Sequence, residues 1–126
     1  RGGRLDLARG CGRLLAAGDT NQSVKVWDWA NNQDIFSYSE HTNHVFGMDF
    51  SSDGRYLASA SWAEVIVVDL LTKEKIRPQG GYAGIIWSVA FSPDGQYLAV
   101  ASGYQGTGEI KVLDKVLWTN TADGER

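Results

Sequence analysis

The chain has 126 residues, of which 43% are hydrophobic and 21% charged, with five Trp and only two Pro. That composition belongs to a folded chain and excludes a disordered one, and a net charge of −3 excludes a global field drawing it to nucleic acid or an anionic membrane. A single Cys, Cys11, excludes an internal disulfide, and no apolar run approaches the roughly 18 residues of a membrane-spanning helix.

The chain opens on Arg1-Gly2-Gly3-Arg4, a basic cluster without aromatic partners that reads as a solvated tail. Its first residue is Arg and its only Met is Met48, so a processed, excised or engineered chain is expected. Gly12-Arg13-Leu14-Leu15-Ala16-Ala17 is a turn feeding a strand. It returns as Gly54-Arg55-Tyr56-Leu57-Ala58-Ser59 after 42 residues and as Gly95-Gln96-Tyr97-Leu98-Ala99-Val100 after 41 more. Val24-Lys25-Val26-Trp27-Asp28 follows, a β-branched strand ending on Asp. It returns as Val65-Ile66-Val67-Val68-Asp69 and Ile110-Lys111-Val112-Leu113-Asp114, with spacings of 41 and 45 residues. The surplus sits in Gly103-Tyr104-Gln105-Gly106-Thr107-Gly108, an insertion between two apolar runs that reads as a hairpin loop.

A more polar fourth strand, Ile35-Phe36-Ser37-Tyr38, is matched by Glu74-Lys75-Ile76-Arg77 and by Val116-Leu117-Trp118. Two inner strands show period-two alternation: Phe46, Met48 and Phe50, then Trp87, Val89 and Phe91. Each runs into hairpin punctuation, Asp53-Gly54 and Asp94-Gly95. No stretch keeps a helical period. Three units, approximately 4–39, 40–80 and 81–121, thus divide residues 1–126, each offering four short strands per 41–45 residues. That pattern predicts an all-β fold of three four-stranded antiparallel propeller blades.

Ser88-Val89-Ala90-Phe91-Ser92-Pro93-Asp94-Gly95-Gln96-Tyr97-Leu98-Ala99 resembles the strand-turn-strand signature of the WD-repeat family. Trp27-Asp28 is similar to the pair that names the family, with Asp69 and Asp114 at the matching positions, and Glu40-His41-Thr42 stands where the family has Gly-His-Thr. The resemblance implies a propeller that presents loops to protein partners. It also implies a buried hydrogen-bond chain of His, Ser or Thr, Asp and Trp. His41 and Ser59 occupy two of those positions in the second unit, where Val68 replaces the Trp and Ser61-Trp62-Ala63-Glu64 lacks the Asp. In the first unit Ala17 and Asn21 replace the Ser and Asp, and in the third Tyr82 and Leu113 replace the His and Trp. No unit therefore shows the complete set, and stability is expected to rest on apolar packing between blades. Trp27→Ala is expected to cost ~3–5 kcal/mol if Trp27 is core, and Val68→Ala roughly 1–3 kcal/mol.

The sequence offers no catalytic constellation and no cofactor motif. His41 and His44 are the only histidines and no Cys stands near them, so no metal site is expected. The glycines at 103, 106 and 108 lack the following helix of a phosphate loop. Asp49 and Asp53 read as structural or surface carboxylates rather than an acid–base pair. The expectation is a non-catalytic protein–protein interaction scaffold. The alternatives are a sensor or assembly segment of a larger signalling protein and a ligand-binding propeller. Partner contacts are expected from two loop sets at one end of the blades: Asn43, His44, Phe46, Ile85 and Trp87, then Asp19, Thr20, Asn21, Trp62, Tyr104 and Gln105. No nucleic-acid or membrane partner is expected. The absence of a targeting signal suggests the cytoplasm.

Three blades fall short of the roughly four to eight of a closed propeller. Further blades are therefore expected, from a longer parent chain or from self-association as a six-bladed dimer or nine-bladed trimer, with the longer chain favoured.

Overall fold

The computed structural model describes residues 5–10, 14–19, 23–39, 41, 44–62, 64–78, 82 and 84–115. The alternation of the sequence becomes eleven strands among them. β1 (Leu5–Gly10), β2 (Leu14–Asp19), β3 (Val24–Asp28) and β4 (Gln33–Tyr38) form one antiparallel sheet in that order. β5 (Gly47–Phe50), β6 (Tyr56–Ser61), β7 (Glu64–Asp69) and β8 (Glu74–Ile76) form a second. β9 (Ile85–Phe91), β10 (Tyr97–Tyr104) and β11 (Thr107–Asp114) form a third. The fourth strand expected at Val116-Leu117-Trp118 lies outside the described residues. Strands follow one another as simple neighbours, because each connection is a short hairpin. The first strands converge, β1 beside β5 and β5 beside β9.

The two inner hairpins are built from one chemical formula. Ser51 Oγ donates to Asp53 Oδ1 at 2.6 Å, the Arg55 N–H donates to the same oxygen at 3.0 Å, and the Tyr56 N–H donates to Ser51 Oγ at 3.0 Å. Ser92, Asp94, Gln96 and Tyr97 repeat those bonds at 2.6, 3.0 and 3.0 Å. Gly54 and Gly95 close the turns at φ 76° and 74°, a left-handed conformation that residues with a Cβ rarely adopt.

Each blade has two faces, and the strand registers assign every side chain to one of them. In the first blade Leu14, Ala16, Val24 and Val26 face the second blade. They pack on Val45, Phe50, Leu57, Ile66 and Val68 to form one core. The opposite face of the second blade supplies Tyr56, Ala58, Ala60, Val65 and Val67 to a second core, completed by Ile86, Val89, Leu98, Val100 and Leu113 of the third. Fully burying a side chain such as Leu57 or Ile86 contributes about 1.5–3 kcal/mol, so these two junctions hold the blades together. The small Ala16, Ala58 and Ala60 let the sheets approach closely.

The insertion in the third unit is absorbed into pairing rather than left as a loose loop. Ser61↔Glu64 closes the β6–β7 hairpin, whereas β10 and β11 pair beyond Ser102↔Glu109 through Gly103↔Gly108 to Tyr104↔Thr107. Gln105 and Gly106, at φ 50° and 87°, make the tight turn.

Candidate interaction face

The hairpin ends at Trp62 and Tyr104 and the segments entering β5 and β9 lie at the same end of the sheets. Pairing places them there: Gly47 opposes Ala60, Ile85 opposes Gly103, and an isolated bridge joins Trp62 to Ile85. Two edge-on aromatic pairs form across the blades. Trp62 meets Tyr104 with ring centroids 5.2 Å apart and planes at 67°, and Phe46 meets Trp87 at 5.6 Å and 60°. His44 adds a third ring, 6.1 Å from Phe46. Such edge-to-face geometry is favourable by ~0.5–1.5 kcal/mol beyond area burial.

Backbone irregularities aim these rings. Ala101 opposes Ser88 and Ser102 opposes Ile86, so Trp87 is the extra residue of a β-bulge. A bulge turns a side chain out of the regular alternation, and Trp87 is 55% exposed although its strand lines a core. Gly84, at φ +83°, lies so close to Tyr104 that an added Cβ would sit 2.8 Å from the Tyr104 Cβ.

Beneath this end runs a buried polar chain. His41 Nδ1 donates to Glu64 Oε2 at 2.7 Å, and His41 Nε2 meets Ser59 Oγ at 2.7 Å. The Tyr38 hydroxyl meets the same Ser59 oxygen at 2.7 Å. For a neutral imidazole the donors run one way, from Tyr38 O–H to Ser59 Oγ and from Ser59 O–H to His41 Nε2. The sequence reading found His41 and Ser59 but not their partners. Glu64 supplies the missing carboxylate from the first position of β7, and Tyr38 supplies the outer hydroxyl from the preceding blade.

Asp49 on β5 accepts from the Phe91 N–H at 2.8 Å, satisfying a backbone donor of β9. Burial pushes its carboxyl above the ordinary range, against the lowering effect of the Phe91 and Phe50 backbone bonds. Asp69 is held below that range, chiefly by Arg55, whose Nε and Nη2 donate to its two oxygens at 3.1 and 2.8 Å. Asp53 and Asp94 are lowered mainly by their turn serines. Tyr82, standing where the family carries His, has a buried hydroxyl without a partner, and burial raises its pKa. Val100 occupies the position at which Ser59 offers an oxygen in the second blade.

Of the candidate partner residues, the structure brings together His44, Phe46, Trp62, Ile85, Trp87, Tyr104 and Gln105. Asp19 ends β2, and Thr20, Asn21 and Asn43 lie outside the described residues. Among the motif residues, Asp28 is buried and accepts from the Asn31 N–H at 3.2 Å and from Asn31 Nδ2 at 3.0 Å. Asp114 is exposed. Trp27 is only half-buried and lines an open groove with Leu15, Ala17, Lys25 and Asp34. Among the described residues no three His, Cys, Asp or Glu side chains are arranged to hold a metal ion, and no helix is long and apolar enough to cross a membrane.

Repeated four-stranded sheets, the Asp-Gly turns and the buried His–Ser pair define a propeller-type repeat protein. The family model for the WD domain, G-beta repeat, matches residues 32–68 and 74–112, and the chain belongs to that WD40 family. It is similar to pre-mRNA-processing factor 19 homolog 2 of Arabidopsis thaliana, 32% identical over 87 aligned positions that cover 59% of this chain and 17% of that protein. It is 33% identical over 71 positions to pre-mRNA-processing factor 19 of Oryza sativa subsp. japonica, covering 56% of this chain and 14% of the relative. A Lissencephaly-1 homolog of Caenorhabditis briggsae is 35% identical over 48 positions, covering 38% and 12%. The chain thus spans less than a fifth of the length of these relatives.

Proposed function

We propose that the chain is a non-catalytic protein-interaction scaffold segment and that it binds a protein partner through the loop end just described. The observation that carries this reading is the pair of exposed edge-on aromatic contacts, Trp62 with Tyr104 and Phe46 with Trp87. Rigid, partly exposed aromatics beside small polar groups are the composition of interaction hot spots. Among the described residues, two buried or half-buried groups of the kind acid–base chemistry uses are engaged in structural bonds: His41 between Glu64 and Ser59, and Asp49 on the Phe91 N–H. Two relatives are named as pre-mRNA-processing factors. The corresponding assembly proposed for this chain is one acting in pre-mRNA processing.

Site-specific photocrosslinking tests the face. A photoreactive phenylalanine analogue placed at Trp87 or Tyr104 is expected to capture a protein partner in cells of the source organism, and the same group at Gln96 to capture none. Capture from Gln96 with none from Trp87 or Tyr104 would overturn the assignment.

A further inference from the structure

The junction between the first and second blades carries a second surface, at the end of the sheets opposite the aromatic rings. Leu14, Ile35, Gly54, Arg55, Leu70 and Leu71 line a pocket of about 310 Å³ there. Its floor is aliphatic, because Leu14 and Leu70 belong to the core that joins these two blades and Ile35 packs against it. Leu71 stands on the rim, 74% exposed. The volume lies at the lower end of the roughly 300–1,000 Å³ of ligand pockets, which suits one aliphatic side chain of a partner.

Cations border the pocket. Beside Ile35, the Phe36 ring carries two ammonium groups, Lys73 Nζ at 5.6 Å and Lys75 Nζ at 5.5 Å from its centroid, both within cation–π reach. Lys73 Nζ also donates to the Leu70 carbonyl at 2.8 Å, which ties it to the pocket wall. The carboxylates that flank the lining residues in the chain are engaged in other bonds. Asp69 accepts from the Arg55 guanidinium, and Asp53 accepts from Ser51 Oγ and the Arg55 N–H. Glu74 alternates with Lys75 along β8 and so stands on its other face.

The turn that builds this rim differs from its first-blade counterpart at the residues concerned. Asp28 ends β3 and Asp69 ends β7, so Ala30 corresponds to Leu71 and Asn32 to Lys73. Asn32 and Lys73 have φ of 54° and 68°. Asn adopts this left-handed region far more readily than Lys does. The second blade thus accepts backbone strain where it sets an ammonium group beside the pocket, and strain of that kind gathers at functional positions.

We propose that this junction docks an acidic peptide, with one aliphatic side chain entering the pocket and flanking carboxylates meeting Lys73 and Lys75. Positive charge at the rim and an apolar floor select that chemistry over a basic or wholly polar segment. The site shares no residue with the loop end, so either proposal can fail without the other.

A peptide array tests it. The array displays peptides with a central leucine flanked by aspartates and glutamates, the same peptides with lysines in place of the acids, and the same with serine in place of the leucine. The chain is expected to bind the acidic leucine peptides alone, and more weakly as salt is raised. For a peptide found in this way, Leu71→Ala and Lys73→Asn should each weaken binding by about fivefold or more in a fluorescence-anisotropy titration. Both substitutions copy the first-blade turn, so the melting curve should be retained. Lys75→Gln serves if Lys73→Asn lowers it. Trp62→Ala, at the other end of the blades, should bind the peptide normally. Capture of no acidic peptide, equal capture of the lysine or serine peptides, rim variants that bind as the wild type does, or loss of binding on Trp62→Ala would overturn the proposal.

Discussion

Ser59 joins Tyr38 and His41 through one oxygen, at 2.7 Å to each. Losing a buried hydrogen-bonding group that others depend on costs about 1–3 kcal/mol, so Ser59→Ala should lower stability by that amount in denaturant melts. The third blade gives the opposite case. Tyr82 buries a hydroxyl with no partner, so Tyr82→Phe should leave stability unchanged or raise it, measured in the same melts. Asp49 combines a useful acceptor with a carboxyl whose charge burial disfavours. Asp49→Asn keeps an acceptor for the Phe91 N–H and removes the charge, and it should be neutral or stabilising at pH 7, whereas Asp49→Ala should destabilise. His41 and Ser59 were legible in the sequence because they sit at family positions. Glu64 and Tyr38 were not, since one stands at a strand start rather than in the turn and the other arrives from a different blade.

The strands were read from their repeat and their turns, and the Ser-Xaa-Asp-Gly formula accounts for both inner hairpins. The carboxylates of those turns, with Asp69, set a pH dependence. Asp53, Asp69 and Asp94 are held below the ordinary carboxylate value of about 3.9. Their stabilisation is therefore present above that value and is lost as pH falls through their lowered native values. Asp49, raised, has the opposite sign: its contribution is complete below the ordinary value and is lost as pH rises through the native one. Acid titration of folding should show net loss of stability below about pH 4. Arg55→Ala should return the Asp69 carboxyl toward its ordinary value in an NMR titration. The bulge at Trp87 and the extended β10–β11 hairpin were not legible, because a spacing of 45 residues reports an insertion without saying whether it pairs. The structure shows that it pairs, and this carries Tyr104 to the aromatic contact with Trp62.

Blade order gives chemically similar strands different surroundings. From the sequence, Trp27 reads as the anchor of its blade; in the structure it lines an open groove, while Val68 at the same repeat position is fully buried. Val68→Ala should cost roughly 1–3 kcal/mol and Trp27→Ala less, as read from denaturant midpoints. Family and architecture were legible because three registers repeat at nearly one period. Which copy of each residue is covered was not, since that depends on how the sheets pack on one another and not on the strand's own residues. The proposed function rests on the loop end, and the most direct measurement is the affinity of a captured partner for single variants by titration calorimetry. Trp62→Ala and Tyr104→Ala should each weaken binding by ~1–3 kcal/mol, about 5- to 150-fold, with Arg55→Ala and Gln96→Ala unchanged. Normal binding by both aromatic variants, with loss on changing Arg55 or Gln96, would contradict it.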